Sequence, residues 1–353
     1  MTFLKSRFRL FLIVGIAALF AIFLTSTRRF PASSLATLST SFAAKNTSNS
    51  NVPQYHGYHS AFSFDVNFNH APRWMTDLPD DSSLTSLSIP GTHDTMTSVL
   101  SGHTFQCQNQ HLTTQLEAGI RYFDIRARLH DDELQIYHQD SYTHHSYADV
   151  LTAMFEFLDS NPGETMIMRL KEESTPINST IDFLTAFNYY RLNSSITASG
   201  CSKHFWVPPT PGPTSIPTLG ELRNKILILQ NFGAEPAEYG IKWESPLLEI
   251  EDLWEIPDLK ALDEKWEFIQ DSLEAAGNRT EHSDGVLYLS HLSASVGILP
   301  IEAAAGNKNG TVVGMNDRTG EWLMGGNGGN TGVVIIDFPG QQLVQEILKR
   351  NKG

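Results

Sequence analysis

Three short segments bring histidines, carboxylates and an arginine to the ends of apolar runs. They are Ser88-Ile89-Pro90-Gly91-Thr92-His93-Asp94, Arg121-Tyr122-Phe123-Asp124-Ile125-Arg126-Ala127-Arg128 and Leu134-Gln135-Ile136-Tyr137-His138. Together they hold what transfer at a phosphorus centre needs. His93 and His138 can trade a proton, Asp94 and Asp124 can fix ring tautomers, and the Arg126 guanidinium can sit on a phosphate that gains charge in the transition state. In such a ribonuclease-like layout a base activates a neighbouring hydroxyl, an acid protonates the leaving oxygen, and no metal is required. Each residue alone has a plainer reading: a single histidine is more often structural, and Asp94 fits a turn or helix cap. The combination points to an enzyme.

These segments need a frame. Strand-like runs recur at 84–89, 122–127, 134–138, 165–170, 225–230, 286–290 and 333–337, and helix-like stretches lie at 113–118, 147–159, 181–190 and 260–276. Strands alternating with helices imply an α/β fold around a parallel sheet. His93, Asp124, Arg126, His138, Lys171 and Asp337 fall at or just past C-terminal strand ends, where a (β/α) barrel gathers its chemistry. An open doubly wound sheet would carry a Gly-rich phosphate turn after its first strand, and Gly91 alone is no such turn.

Local chemistry adds detail. Pro90-Gly91 predicts a turn that stops the first strand and presents His93. Asp337 closes the buried-type run Val333-Val334-Ile335-Ile336, where an unpaired carboxylate is costly, so it needs a partner. The Pro-rich 207–213 predicts a surface loop between barrel units. The Gly-rich 324–330 precedes a strand rather than a helix, which predicts a mobile loop at the barrel mouth in preference to a phosphate cradle. His144, His145 and His291 lack a comparable setting.

Composition bounds the function. The chain has 353 residues, 41% hydrophobic, and a formal charge of −14, which argues against nucleic acid and against simple adhesion to anionic bilayers. Its N-terminus runs the other way: Lys5, Arg7 and Arg9 precede an apolar run at 10–24, and Arg28-Arg29 follow it. That order reads as a secretory signal over 1–30. The run is shorter than the ~20 residues that span a bilayer comfortably, which favours removal, while the flanking arginines keep a signal-anchored form open. A Ser/Thr/Asn-rich spacer is expected over 31–60, with the barrel over 61–353. Sequons at Asn46, Asn178, Asn193, Asn278 and Asn309 fit a secreted or cell-surface protein. Cys107 and Cys201, the only cysteines, permit either one disulfide or two buried thiols.

On the three segments, and on Glu164-Thr165-Met166-Ile167-Met168-Arg169-Leu170-Lys171, the chain resembles the bacterial-type phosphatidylinositol-specific phospholipases C and their fungal relatives. The resemblance spans about 84–337, with the blocks in the family's order and spacing. It implies a single distorted, incomplete (β/α)8 TIM barrel that lacks a helix between 122–127 and 134–138. It also implies a cofactor-free lyase that converts inositol phospholipids or glycosylinositol anchors at a membrane surface to diacylglycerol and a 1,2-cyclic inositol phosphate. No protein partner is implied.

The resemblance assigns roles residue by residue. His93 would be the base on the inositol 2-hydroxyl, oriented by Asp337; His138 would be the acid, oriented by Asp94; Arg126 would stabilise the phosphate. Calcium-dependent relatives place acidic ligands at the positions of Asp124 and Arg126, so a fixed cation at 126 speaks against a metal. Asp124 would hold that arginine beside the substrate, and Lys171, Asp252 and Trp254 match residues that contact or stack on the inositol ring. Two positions depart from the family: Asn231 stands for an inositol-binding arginine, and Gln139 for the glycine after the second histidine. The altered ring pocket implies weaker head-group recognition. A metal-dependent phosphodiesterase on the same barrel, of glycerophosphodiesterase or sphingomyelinase type, and a silent barrel that docks on lipid or glycan are the two rival readings.

Overall fold

The computed structural model describes residues 55–208, 212–235, 237–278 and 285–351. The expected signal segment, the expected spacer up to residue 54 and the centre of the Pro-rich stretch lie outside them. In chain order the strands are β1 (Ser88–Thr92), β2 (Tyr122–His130), β3 (Glu133–His138), β4 (Ser141–Ser146), β5 (Met166–Glu172) and β6 (Ile226–Asn231). They continue with β7 (Ile241–Lys242), β8 (Leu248–Glu251), β9 (Glu255–Ile256), β10 (Leu287–His291), β11 (Ser295–Val296) and β12 (Gly332–Ile336).

Eight of these form one parallel path in the order β7-β6-β5-β2-β1-β12-β10-β8. Helices on the crossovers include α1 (Leu112–Ala118), α2 (Tyr147–Ser160), α3 (Phe183–Leu192), α4 (Ala198–His204), α5 (Leu219–Leu222), α6 (Leu262–Gly277), α7 (Pro300–Ala305) and α8 (Met315–Met324), and α9 (Gln341–Lys349) ends the fold. Among the described residues the edges at β7 and β8 do not pair with each other. The result is an α/β barrel left open, as expected for the incomplete TIM type.

Strand alternation sorts the side chains into layers. Ile89, Tyr122, Ile167, Leu227, Leu229, Leu287, Leu289, Val333 and Ile335 share one buried cluster, while Phe123, Ile125, Met168, Leu170, Ile226 and Ile228 face the other way into a cluster that includes α2 and α3. Continuing the inward rows by two residues reaches Asp124, Arg169, Asn231, His291 and Asp337, and by four Arg126 and Lys171. An apolar floor therefore underlies a polar upper layer.

A buried ion pair staples the floor from below. Arg121, fully buried, donates to Glu164 Oε2 from Nε and Nη2 at 3.1 and 2.9 Å, and to the carbonyls of Leu116, Ile120 and Pro72. Glu164 also accepts from the Met75 amide and the Thr76 hydroxyl. Good hydrogen bonding on both partners is what makes such a buried pair tolerable.

Several details differ from the sequence reading. Residues Leu84–Ser86 form a 3-10 turn, so β1 begins at Ser88. Pro90 and Gly91 lie inside β1 rather than in a turn after it: the Pro90 carbonyl accepts from the Arg121 amide at 2.9 Å, and a Cβ on Gly91 would stand 2.8 Å from the Tyr122 Cβ. The glycine serves close strand packing. β3 runs antiparallel to β2, with Ala127 opposite Ile136, and β4 runs antiparallel to β3. A hairpin thus stands where a crossover helix would be, and His138 reaches the site on a descending strand.

The Gly-rich 324–330 segment leads into the N-terminal end of β12, where Ser88 faces Gly332, and Asn330 donates to the Ser86 carbonyl. It lies at the end of the barrel opposite the site, because a helix-to-strand connection must return there. The packed body also begins before residue 61: Tyr55 and Tyr58 are buried against Ile301, Ala304 and Phe338. Cys107 and Cys201 are both buried free thiols.

Candidate active site

The polar upper layer opens into a cleft of about 630 Å³, lined by His93, Arg126, His138, Lys171, Asp252 and Asp337 among others. Asp94 and Asp124 sit beneath this lining as buried braces.

Partner chemistry assigns the ring protons. His93 Nε2 lies 2.8 Å from Arg126 Nη2, and its Nδ1 lies 2.9 Å from Asp337 Oδ1. A guanidinium only donates, so Nε2 carries the lone pair and Nδ1–H donates to Asp337. That is a neutral imidazole. Burial first, and then the Arg126 charge, hold His93 well below its usual range, which agrees with the tautomer. The backbone around it is fixed too: Gln108 Nε2 donates to the carbonyls of His93 and Ile336 at 2.7 and 2.9 Å.

His138 has the complementary setting. Its Nδ1 donates to the Phe105 carbonyl at 2.8 Å, and its Nε2 lies 3.3 Å from Asp94 Oδ2. Both ring nitrogens thus face oxygen atoms, with Nε2 turned toward the cleft side of Asp94. Asp94 itself has a left-handed φ of 42°, an unusual conformation for a non-glycine residue. It is held there by its own N–H donating to Asp124 Oδ2 at 3.2 Å, and by the Thr97 hydroxyl donating to its carbonyl at 2.8 Å.

Arg126 ties the two acids to the cleft. Its Nε lies 3.0 Å from Asp124 Oδ2 and 2.9 Å from Asp94 Oδ1. Burial opposes a charged carboxyl at Asp124, but Arg126 and Arg169 overcome it and keep this group far below the ordinary carboxylate range. Burial raises Asp94, and Asp337 is raised by burial and by Asp94, against the pull of Arg126. Among the described residues, three donor sets come close enough together to be weighed as metal ligands. In the set His93, Asp94 and Asp124 the lone pairs already face the Arg126 guanidinium, and a second cation there would meet an unscreened like charge.

The residues expected to bind substrate separate into two groups. Lys171, Asp252 and Trp254 line the cleft; Lys171 Nζ is 2.7 Å from Glu173 Oε2, and Trp254 is exposed at the rim. Asp124 and Asn231 do not line it. Asn231 instead holds Arg169, which sequence reasoning passed over although it stands two residues before Lys171 on the same face. Period-two alternation through 169, 171 and 173 was the available signal for Arg169 and Glu173. Phe105 and Gln108 had none, since both act from a loop. Gln139, with φ of 52°, donates its N–H to Glu173 Oε1 at 3.0 Å, which stabilises a conformation that glycine adopts freely. His291 is buried, with Nδ1 donating to the Glu251 carbonyl at 2.8 Å and its ring edge-on to His93.

Residues 87–232 match the profile described as phosphatidylinositol-specific phospholipase C, X domain. A 1-phosphatidylinositol phosphodiesterase of Listeria monocytogenes is 36% identical over 294 residues, covering 79% of this chain and 85% of that protein. The chain belongs to the phosphatidylinositol-specific phospholipase C family. A Staphylococcus aureus 1-phosphatidylinositol phosphodiesterase is 25% identical over 320 residues, covering 84% of this chain and 99% of its own. The solved phosphatidylinositol-specific phospholipase C from Listeria monocytogenes superposes with a TM-score of 0.65 at 31% identity, covering 80% of this chain and all 100% of that one. Membership in this family accounts for the open α/β barrel.

Proposed function

We propose that the protein is a metal-independent phosphatidylinositol-specific phospholipase C, acting on an inositol phospholipid or a glycosylinositol anchor. The observation that carries this reading is the pair of rings on either side of Asp94 and beside Arg126, His93 with its Nε2 lone pair toward the guanidinium and His138 with Nδ1–H on the Phe105 carbonyl and Nε2 toward Asp94. His93 Nε2 takes the proton of the ring 2-hydroxyl as that oxygen forms its bond to phosphorus. His138 Nε2–H gives its proton to the glycerol oxygen as the phosphorus–oxygen bond to diacylglycerol breaks. Arg126 donates to the phosphate oxygens where charge develops, and Asp337 stabilises the imidazolium that forms at His93.

Incubating the purified protein with phosphatidylinositol and following water-soluble phosphorus by 31P NMR tests the reading. A 1,2-cyclic inositol phosphate should appear first. Binding without product would favour a silent barrel, and an acyclic product from the outset would rule out attack by the ring hydroxyl.

The chain also carries the marks of the secretory route in its basic-apolar N-terminal segment and its sequons. Exposure of Asn178, Asn193, Asn278 and Asn309 supports the same proposal.

A further inference from the structure

Arg169 is a guanidinium at the cleft wall that the proton-transfer steps leave unused, and it is fixed from three sides. Its guanidinium carbon lies 3.9 Å from the Trp243 ring centre. Nε and Nη2 donate to Asn231 Oδ1 at 3.1 and 2.8 Å, and Nη1 stands 3.5 Å from Asp124 Oδ1. The register of β5 on β6, with Lys171 opposite Asn231, puts this amide within reach of the arginine.

What holds Arg169 does not exhaust it. A guanidinium carries five N–H donors in one plane. Asn231 engages two through a neutral oxygen, and Asp124 is shared with Arg126. The side chain is 8% exposed yet lines the cleft with Lys171 and Asp252. Desolvating a charged fork at a cleft wall is costly unless something there accepts the remaining donors. The neighbouring groups say what that is. Cations on β5 and the Asp252 carboxylate across the cleft offer donors and an acceptor, the combination that adjacent hydroxyls of a polyol satisfy, since each hydroxyl both accepts and donates.

We infer that Arg169, seated on Trp243 and held by Asn231, binds ring hydroxyls of the inositol head group and sets head-group affinity. This rests on the function proposed above. Asn231 then marks a relocation rather than a loss: the cation comes from β5, and the amide on β6 orients it. The weaker head-group recognition expected from an asparagine at 231 does not follow.

The test measures KM and kcat on phosphatidylinositol in mixed micelles, and the inhibition constant of free myo-inositol, for the wild type and for Arg169→Ser, Arg169→Lys and Asn231→Arg. Loss of a charged donor to bound hydroxyls should raise both KM and the inhibition constant for Arg169→Ser by about 30- to 100-fold, with kcat falling by less. Asn231→Arg should weaken binding too, by about tenfold, because two guanidinium groups would crowd one wall. An Arg169→Ser protein that folds and keeps its myo-inositol inhibition constant overturns the inference, as does one that lowers kcat and moves the pH profile through Asp124 with that constant unchanged. Should Arg169→Ser not fold, Arg169→Lys keeps the charge without the fork, and an unchanged constant there is equally fatal. A wild type that makes no cyclic phosphate refutes the parent reading instead.

Discussion

His93 and His138 present their Nε2 atoms to the same oxygen, Asp94 Oδ2, at 3.2 and 3.3 Å. One carboxyl group thus lies between the two rings, with Arg126 beside it. The left-handed backbone at Asp94 is what turns the side chain toward both rings.

If the rings act as base and acid in one displacement, His93→Ala and His138→Ala should each lower kcat by about 10²- to 10⁴-fold. The double variant should lose far less than the product of the two, because the groups act as a unit. Steady-state kinetics with matched circular dichroism spectra check this, and near-normal turnover in either single variant would remove the assignment.

Arg126 should not be replaceable by lysine. Its fork contacts Asp94, Asp124 and His93 simultaneously, a geometry that an ammonium cannot reproduce. Arg126→Lys should therefore be badly impaired, and chelators should leave the wild type unchanged. Abolition by EDTA with rescue by calcium would reinstate the metal-dependent reading.

The pH profile has a definite sign. His93 must be neutral to act as base, and burial with the Arg126 charge places its protonation below the ordinary 6.5. Activity should accordingly persist below pH 6.5 and fall only as pH drops through the depressed value. NMR titration of the His93 ring protons should show the same midpoint, and Arg126→Gln should move that midpoint upward by removing the adjacent charge.

The buried Arg121–Glu164 pair should matter for stability rather than chemistry. Glu164→Ala strands a fully buried guanidinium, which typically costs about 3 to 5 kcal/mol. Urea unfolding should register that loss. A change below about 1 kcal/mol would mean that water or a shifted partner satisfies Arg121.

Protein made in a eukaryotic host should carry N-linked glycans on exposed sequons such as Asn178 and Asn309. Treatment with an N-glycosidase should lower its mass. No change would count against passage through the secretory route.

The linear chain determined the parts of this protein that depend on short-range pattern. Apolar runs with period two, helical stretches between them and polar residues at the run ends were enough to indicate an α/β barrel and to bring out His93, Arg126, His138 and Asp337. Residue type pointed to proton transfer beside a phosphate, and the family resemblance supplied the role of each residue.

Tertiary structure decided everything that depends on which strand lies next to which. The antiparallel return of β3 delivers His138 to Asp94, and the Phe105 carbonyl that fixes its ring comes from a loop without a sequence signature. The pairing of β5 with β6 turns Asn231 from a missing contact into the support of Arg169. Gly91 looked like a turn residue because close approach to Tyr122 is a fact about β2, which lies thirty residues on. A sequence records what each side chain can do, but the partner that orients it is chosen by packing across distant segments.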